Sequence, residues 1–207
     1  MSRKGWALFI ALCVIWGIPY LLIRVAVEEL SAPALVFFRT APAALLMAPF
    51  AFRRGAFAVV LRHWRWVVTY TLVEVTVPWV LLFHAEERIS SSLAGLLVAA
   101  VPLIAAVAYR FFGHAELLDV RRRVGLVIGF AGVAALVGID VGESDPLAMV
   151  EMFVVAVCYA TGPLIVSRRL QGLPSLAVIA ASLTITAGVY AIPALTGPFV
   201  LVTWLFL

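Results

Sequence analysis

Apolar residues in this chain come in long unbroken runs rather than in alternation with polar ones. The runs cover 6–27, 33–52, 66–85, 90–112, 122–139, 147–167 and 176–195, and short polar or charged stretches separate them. A helix crosses a bilayer with about 17–25 such residues. Hydrocarbon offers no partner to a backbone amide, so a crossing segment is either a helix or a strand of a closed barrel. Barrel strands alternate lipid-facing and lumen-facing side chains with a period of two. No such alternation is present, and the pattern predicts an all-α, polytopic membrane bundle of about seven spans. The tail 199–207 is apolar but too short to cross.

Composition agrees with this reading. Hydrophobic residues make up 65% of the 207 and charged residues 13%, with a mean hydropathy of +1.13, whereas a soluble domain carries about 25% charged residues. The start, Met1 to Lys4 ahead of an apolar run, has the basic flank of a signal peptide. The run is of spanning length, however, and no small-x-small cleavage site follows, so it reads as the first span. Cys13 and Cys158 stand singly in apolar runs and read as packing residues. His63, His84 and His114 fall singly at span edges, and no spacing of His, Cys, Asp and Glu calls for a metal or a cofactor.

Charge gives the orientation. With the N-terminus in the cytoplasm, the first four residues, the 53–65 loop, the 110–123 loop and Arg168–Arg169 place 12 of the 15 Lys and Arg inside, as cytoplasmic loops require. The outer loops then hold Glu28, Glu29, Glu86, Glu87, Asp140, Glu143 and Asp145, seven of the 11 acids. The pI near 9.5 therefore reflects membrane topology. A nucleic-acid partner would need the basic residues gathered on one water-facing surface beside stacking aromatics.

The first span repeats in outline. Cys13, Gly17 and Arg24 recur in the same order and spacing as Cys158, Gly162 and Arg169, with Pro19 and Pro163 after the two glycines. Five intervening spans invert the second copy. Inverted repeats with proline-interrupted helices are a recurrent plan of secondary transporters.

Four stretches carry a family resemblance: WGIPYLLIR in the first span, SAPALVFFRTAPAALLMAP leading into the second, HAEERISSSLAGLLVAAVPLIAA into the fourth, and RRRVGLVIGFAGVAALVG as the fifth. In order and spacing they resemble the EamA family of the drug/metabolite transporter superfamily, over residues 6–139 and more loosely over 147–195. The resemblance implies ten spans in two inverted five-span repeats. One complete EamA-like repeat then occupies 1–139 and a partial second one 146–207, as in a copy shortened at its C-terminal end. It also implies a multi-pass protein of the inner (plasma) membrane that exports small molecules.

The residues that stand out at depth are few. Helical spacing puts Cys13, Gly17, Tyr20 and Arg24 on one face, beside Trp16 in a span expected to kink between Gly17 and Pro19. Arg24 reads either as a cation snorkelling to the outer interface or as part of a pathway. Arg39 lies six residues into the second span, about 9 Å below its edge. Glu74 lies near the middle of the third span, with Tyr70 and Pro78 one turn either way. A charge at that depth costs about 2.5–3.5 kcal/mol on insertion scales, so it faces the bundle interior and needs a partner. Arg39 and Glu74 are expected to line one central cavity and to pair in at least one state, either as a purely structural buried pair or with Glu74 binding a proton or the substrate. Glu151 reads as a solvated acid at a helix start. Gly125, Gly129 and Gly132 form a small-residue face for packing on Ala94, Ala105 and Ala108 of the fourth span or on a second copy of the chain. Trp64, Trp66 and Trp79 read as interfacial anchors.

Three classes of function were weighed. A transporter of small metabolites or drugs, rocking one repeat against the other about a midplane site, accounts for the buried charges. An intramembrane enzyme lacks its signatures: no Gly-x-Ser-x-Gly and no His-Glu-x-x-His occurs, and the only inner-face acids are Glu116 and Asp119. A truncated, non-transporting or assembly-dependent membrane protein is the third. The sequence does not name the substrate, the direction or the coupling ion.

Overall fold

The computed structural model describes residues 3–52, 56–111, 124–132, 135 and 145–196. Arg53, Arg54, His114, Glu116, Asp119, Arg121, Arg122, Arg123, Asp140 and Glu143, all of the 136–144 connection and the tail 197–207 lie outside the described residues, as does the side chain of Trp16. Among the described residues every element is a helix: α1 Arg3–Ala26, α2 Ala32–Phe52, α3 Ala56–Arg62, α4 Trp64–Thr71, α5 Val77–Glu86, α6 Ser91–Ala99, α7 Val101–Phe111, α8 over 124–132, α9 Pro146–Arg169 and α10 Ser175–Thr196. Five segments are long and apolar enough to cross a membrane: Lys4–Ala26, Ala32–Pro49, Trp64–Glu86, Pro146–Arg169 and Ser175–Thr196. The chain is a polytopic helical membrane protein. The fourth predicted span is broken into α6 and α7 at Ala100, because Pro102 has no N–H with which to continue the ladder. Only 124–132 and residue 135 of the fifth predicted span are described.

Local chemistry fixes the helix ends. The Ser90 hydroxyl accepts the Leu93 N–H at 3.2 Å and starts α6, and the Asp145 carboxylate accepts the Leu147 N–H at 2.7 Å and starts α9; both satisfy orphan donors of a first turn. The α9–α10 turn needs Gly172, whose φ of 79° suits a residue without a Cβ. α1 runs unbroken through Pro19. It ends at the same end of the bundle where α9 begins, here called the upper end, so the two copies of the Cys-Gly-Arg pattern run in opposite directions.

The third span is the axis of the molecule. α4 and α5 form one rod joined by a π-helical turn, Leu72–Thr76. Pro78 cannot donate to the carbonyl of Glu74, and the wider turn accommodates the missing bond. The turn also sets the packing against α10. Thr71 donates to Ser182 at 2.8 Å and the hydroxyls of Thr76 and Thr186 meet at 2.9 Å. Ser182 and Thr186 are one α-turn apart, whereas Thr71 and Thr76 are five residues apart, and a π turn puts both on one face. The Tyr190 hydroxyl donates to the Thr76 carbonyl at 2.9 Å on the same side.

Two apolar clusters fill the interior. At the upper end Ile23, Val36, Leu82, Phe83, Leu93, Met152 and Val155 pack together; at the lower end Val60, Val67, Leu170, Ala177 and Val178 do so. α10 lies along α2, and α9 lies along the rod. α1 is peripheral, touching α5 and α6, with 6% of its most apolar stretch buried against 28–39% in the other four spans. Leu8, Ile15, Leu21 and Leu22 on its surface are solvated by lipid.

The threonine pairs generate a prediction. A double-mutant cycle on Thr76→Val and Thr186→Val, read by unfolding in mixed micelles, should give a coupling of about 0.6 kcal/mol, typical of an interhelical hydrogen bond in a bilayer.

Candidate functional site

Polar side chains inside the bundle fall into a line. Tyr70 on α4 lies within electrostatic reach of Glu74 on the π turn. Glu74 lies within reach of Tyr159 on α9, and Tyr159 within reach of Tyr20 on α1 and Arg39 on α2. Tyr20 and Arg39 are in turn within reach of Glu86, the last residue of α5. Residues from four spans and from both halves of the chain thus make one file from the lower half of the rod to its upper end.

Glu74 is held tightly. Its carboxylate rests on Gly162 of α9 so closely that even one methyl group at 162 would collide with it, and one carboxylate oxygen is buried with no hydrogen-bond partner. Gly162 is a glycine because Glu74 fills the space where a side chain would begin. The second-half copy of the Gly17 position is therefore a seat for the mid-membrane acid, while Gly17 itself has open space around it.

Arg39 takes another course. Its guanidinium carbon stands 4.6 Å over the Trp79 ring and 5.9 Å from Phe83, a cation–π arrangement. It forms no ion pair with Glu74 in this conformation. Trp79, expected at an interface, instead packs on the upper core beneath Arg39. Tyr20 packs across Gly95 of α6, where a Cβ would lie 3.9 Å from its ring. Arg24 turns inward and donates to the Glu86 carbonyl at 2.5 Å, capping one of the acceptors that a helix leaves unsatisfied in its last turn.

The upper end carries a clasp that pattern reasoning did not find. His84 Nδ1 meets Glu151 Oε1 at 2.6 Å, Arg88 binds the other Glu151 oxygen, and Arg88 Nε lies 3.5 Å from Asp145. Glu151 is 7% exposed, so it is a buried partner and not the solvated helix-end acid expected. The pairing forms because α9 starts beside the end of α5, putting an acid against His84 and Arg88. Glu86 was likewise expected in an outer loop; it closes α5 at 0% exposure. The neighbouring Glu87 and Arg88 disguised it as part of a charged loop. Tyr159 was missed although it adjoins Cys158 in the repeated pattern.

Of the small-residue face, Gly129 receives Leu103 of α7, whose methyl would lie 3.0 Å from an added Cβ, whereas Gly125 and Gly132 have nothing within 4 Å. A groove of about 590 Å³ opens between α2, α4 and α10, lined by Ala41, Ala44, Val60, Val67, Ala180 and Ala181. Its walls carry no charged side chain, and several of them belong to the lower cluster on which Tyr70 packs. Among the described residues no group of His, Cys, Asp and Glu is placed to hold a metal.

Two outcomes follow from these contacts. Gly162→Ala should destabilise the protein by about 1–3 kcal/mol as an overpacked site, and Glu74→Ala in the same chain should recover most of the loss, measured by thermal unfolding in detergent. Arg88→Ala should cost about 3–5 kcal/mol because it strands the buried Glu151, and Glu151→Gln added to it should restore part of that.

Over 165 residues the chain is 29% identical to the uncharacterized inner membrane transporter YedA of Escherichia coli strain K12, a stretch covering 78% of this chain and 52% of that protein. The counterparts from strains O6:H1 and O157:H7 give the same figures. The chain thus spans about half the length of these curated relatives. No solved structure gives a significant match. The family match runs over residues 3–138, from α1 through the fifth predicted span. Apolar helices around an internal polar file accord with that match, and the chain belongs to the EamA-like transporter family.

Proposed function

We propose that the protein is a secondary transporter of the inner (plasma) membrane, with its N-terminus in the cytoplasm, that exports a small metabolite or drug by alternating access. The observation that carries this reading is the file Tyr70, Glu74, Tyr159, Arg39, Tyr20 and Glu86 running between the helices, with Glu86 fully buried. Ionisable groups are expensive at membrane depth and persist where they serve a solute or ion path. The family points to a transporter rather than an enzyme. The relative YedA is an inner membrane transporter by name, and the count of Lys and Arg supports a cytoplasmic N-terminus. The outward direction follows from the resemblance to drug and metabolite exporters.

In this reading the upper end faces outward and the Arg88–Glu151–His84 clasp closes it. Opening to the outside requires α9 to part from the end of α5, and Glu74 to leave its seat on Gly162. The coupling between clasp and seat is mechanical, since both lie on the same pair of helices.

A second reading, in which the chain works only when assembled with another, is favoured by one observation: α1 buries far less of itself than the other spans. Cross-linking of single cysteines on the outer face of α1 in native membranes separates the two readings.

Uptake into proteoliposomes under an imposed proton gradient, screened over amino acids, sugars, nucleotides and cationic drugs, tests the transporter reading. One solute class should accumulate, and Glu74→Gln should lower its proton-driven flux by more than about tenfold, or about 1.4 kcal/mol, in a protein that still folds. Flux unaffected by Glu74→Gln would remove that residue from the mechanism.

A further inference from the structure

The groove between α2, α4 and α10 is apolar along its length and basic at one mouth. Leu45, Leu61 and Trp64, all exposed, line it together with Ala181 and Ile185. Thr184 lines it too, but its hydroxyl donates to the Ala180 carbonyl of its own helix at 2.7 Å and needs no partner in the groove. An occupant of the trough therefore meets hydrocarbon. The lower mouth is different. α3 touches α2, α4 and α10 and so closes the groove at that end. It finishes in Arg62, directly after Leu61, and the Arg65 guanidinium carbon stands 5.7 Å from the Trp64 ring. Both arginines are exposed, and among the described residues neither has an acid within ion-pair distance. The helices around them supply none, because the chain has no Asp or Glu between Glu29 and Glu74 or after Glu151, and those stretches contain all of α2, α3, α4 and α10. His63, between the two arginines, has its Nδ1 on the Val59 carbonyl at 3.0 Å.

We infer that this groove is a binding site for an anionic phospholipid of the leaflet at the lower end, with the headgroup phosphate on Arg62 and Arg65 and one acyl chain in the trough. In the orientation proposed above that leaflet is the cytoplasmic one, but the site itself does not depend on the transporter reading. Charge and shape choose the occupant together. An apolar helix would fill the trough and leave two cations unanswered, and a polar solute would answer the cations and leave the trough unfilled. A lipid with a negative head does both, as basic pockets between spanning helices do for headgroups elsewhere. The long stems of the arginines can lie along the apolar rim while their guanidinium groups stay at headgroup level. Ala181 and Ile185 rest on the lower apolar cluster, so the bound chain extends that cluster outward and ties α10 to α2 and α4.

Contact quenching tests the site. The full chain, with Trp64 kept and its other tryptophans replaced by phenylalanine, is placed in phosphatidylcholine nanodiscs that contain a graded fraction of phosphatidylglycerol brominated on its chains, or of brominated phosphatidylcholine. Phosphatidylglycerol should quench Trp64 at a mole fraction lower by about tenfold or more. Arg62→Gln and Arg65→Gln should each reduce that preference about fivefold, the effect of one basic group near an anionic surface, and together they should make the two lipids equal. Arg169→Gln removes the same charge at the same end, but Arg169 lies 4.4 Å over Trp66, on the opposite side of α4 from Trp64 at about 200° for two residues; it should leave the preference unchanged. Ala181→Phe, which fills the trough, should weaken quenching by both lipids. Equal quenching by the two lipids in the parent chain, a preference that survives loss of both arginines, an effect of Arg169→Gln as large as that of Arg65→Gln, or quenching untouched by Ala181→Phe would each overturn the assignment. So would a Trp64 that neither lipid quenches while cysteine cross-links join two copies through the groove, since the occupant would then be a second chain.

Discussion

Inside a bilayer a polar group has no water to fall back on, and this constraint sorts the buried hydrogen-bonding groups among the described residues into two sets. One set is paired and holds helices together: Thr71 with Ser182, Thr76 with Thr186, Tyr190 with the Thr76 carbonyl, Arg24 with the Glu86 carbonyl, and Glu151 with His84 and Arg88. The other set is buried and left incomplete: one oxygen of Glu74, both of Glu86 and, within the clasp itself, the Arg88 Nε, which has only the Asp145 carboxylate 3.5 Å away. Full pairing makes a rigid scaffold, whereas an incomplete group has chemistry in reserve. The division separates framework from path more sharply than burial alone does, since both sets lie at similar depth.

The same constraint accounts for what could be read in the chain before its fold was known. Spans whose apolar runs are uninterrupted stood out, because hydropathy reports solvation by lipid directly. The break at Ala100 did not, since Pro102 sits in a run that is apolar on both sides and hydropathy is blind to a missing N–H. Glu74 and Arg39 were legible as buried charges, but their partners were not. Arg39 settles on Trp79, a tryptophan whose place near a span end suggested an interface, and Glu74 settles against a glycine in another span. Glu86 and Glu151 were misread for a common reason. Each lies near the end of a span, where sequence position says water and only the packing of α9 against α5 says otherwise.

The repeated Cys-Gly-Arg pattern shows how one local sequence serves two surroundings. In α9 the glycine receives the Glu74 carboxylate; in α1 the glycine faces open space and only the upper part of the helix, from Tyr20 to Arg24, turns toward the interior. The likeness lies in backbone direction and helix-breaking residues, while the chemistry resides in whatever each copy is packed against.

The wide turn at 72–76 leaves one residue of slack in the rod. Were it to tighten to an ordinary turn, everything above it would advance by one place, a rotation of about 100° with a shift of about 1.5 Å. Phe83 and Glu86 would wheel away from Arg39 while Trp64 to Thr71 stayed seated. The extra residue in this one turn thus sets the bearing of the rod's upper half, and with it the side on which Phe83 and Glu86 stand, independently of its lower half.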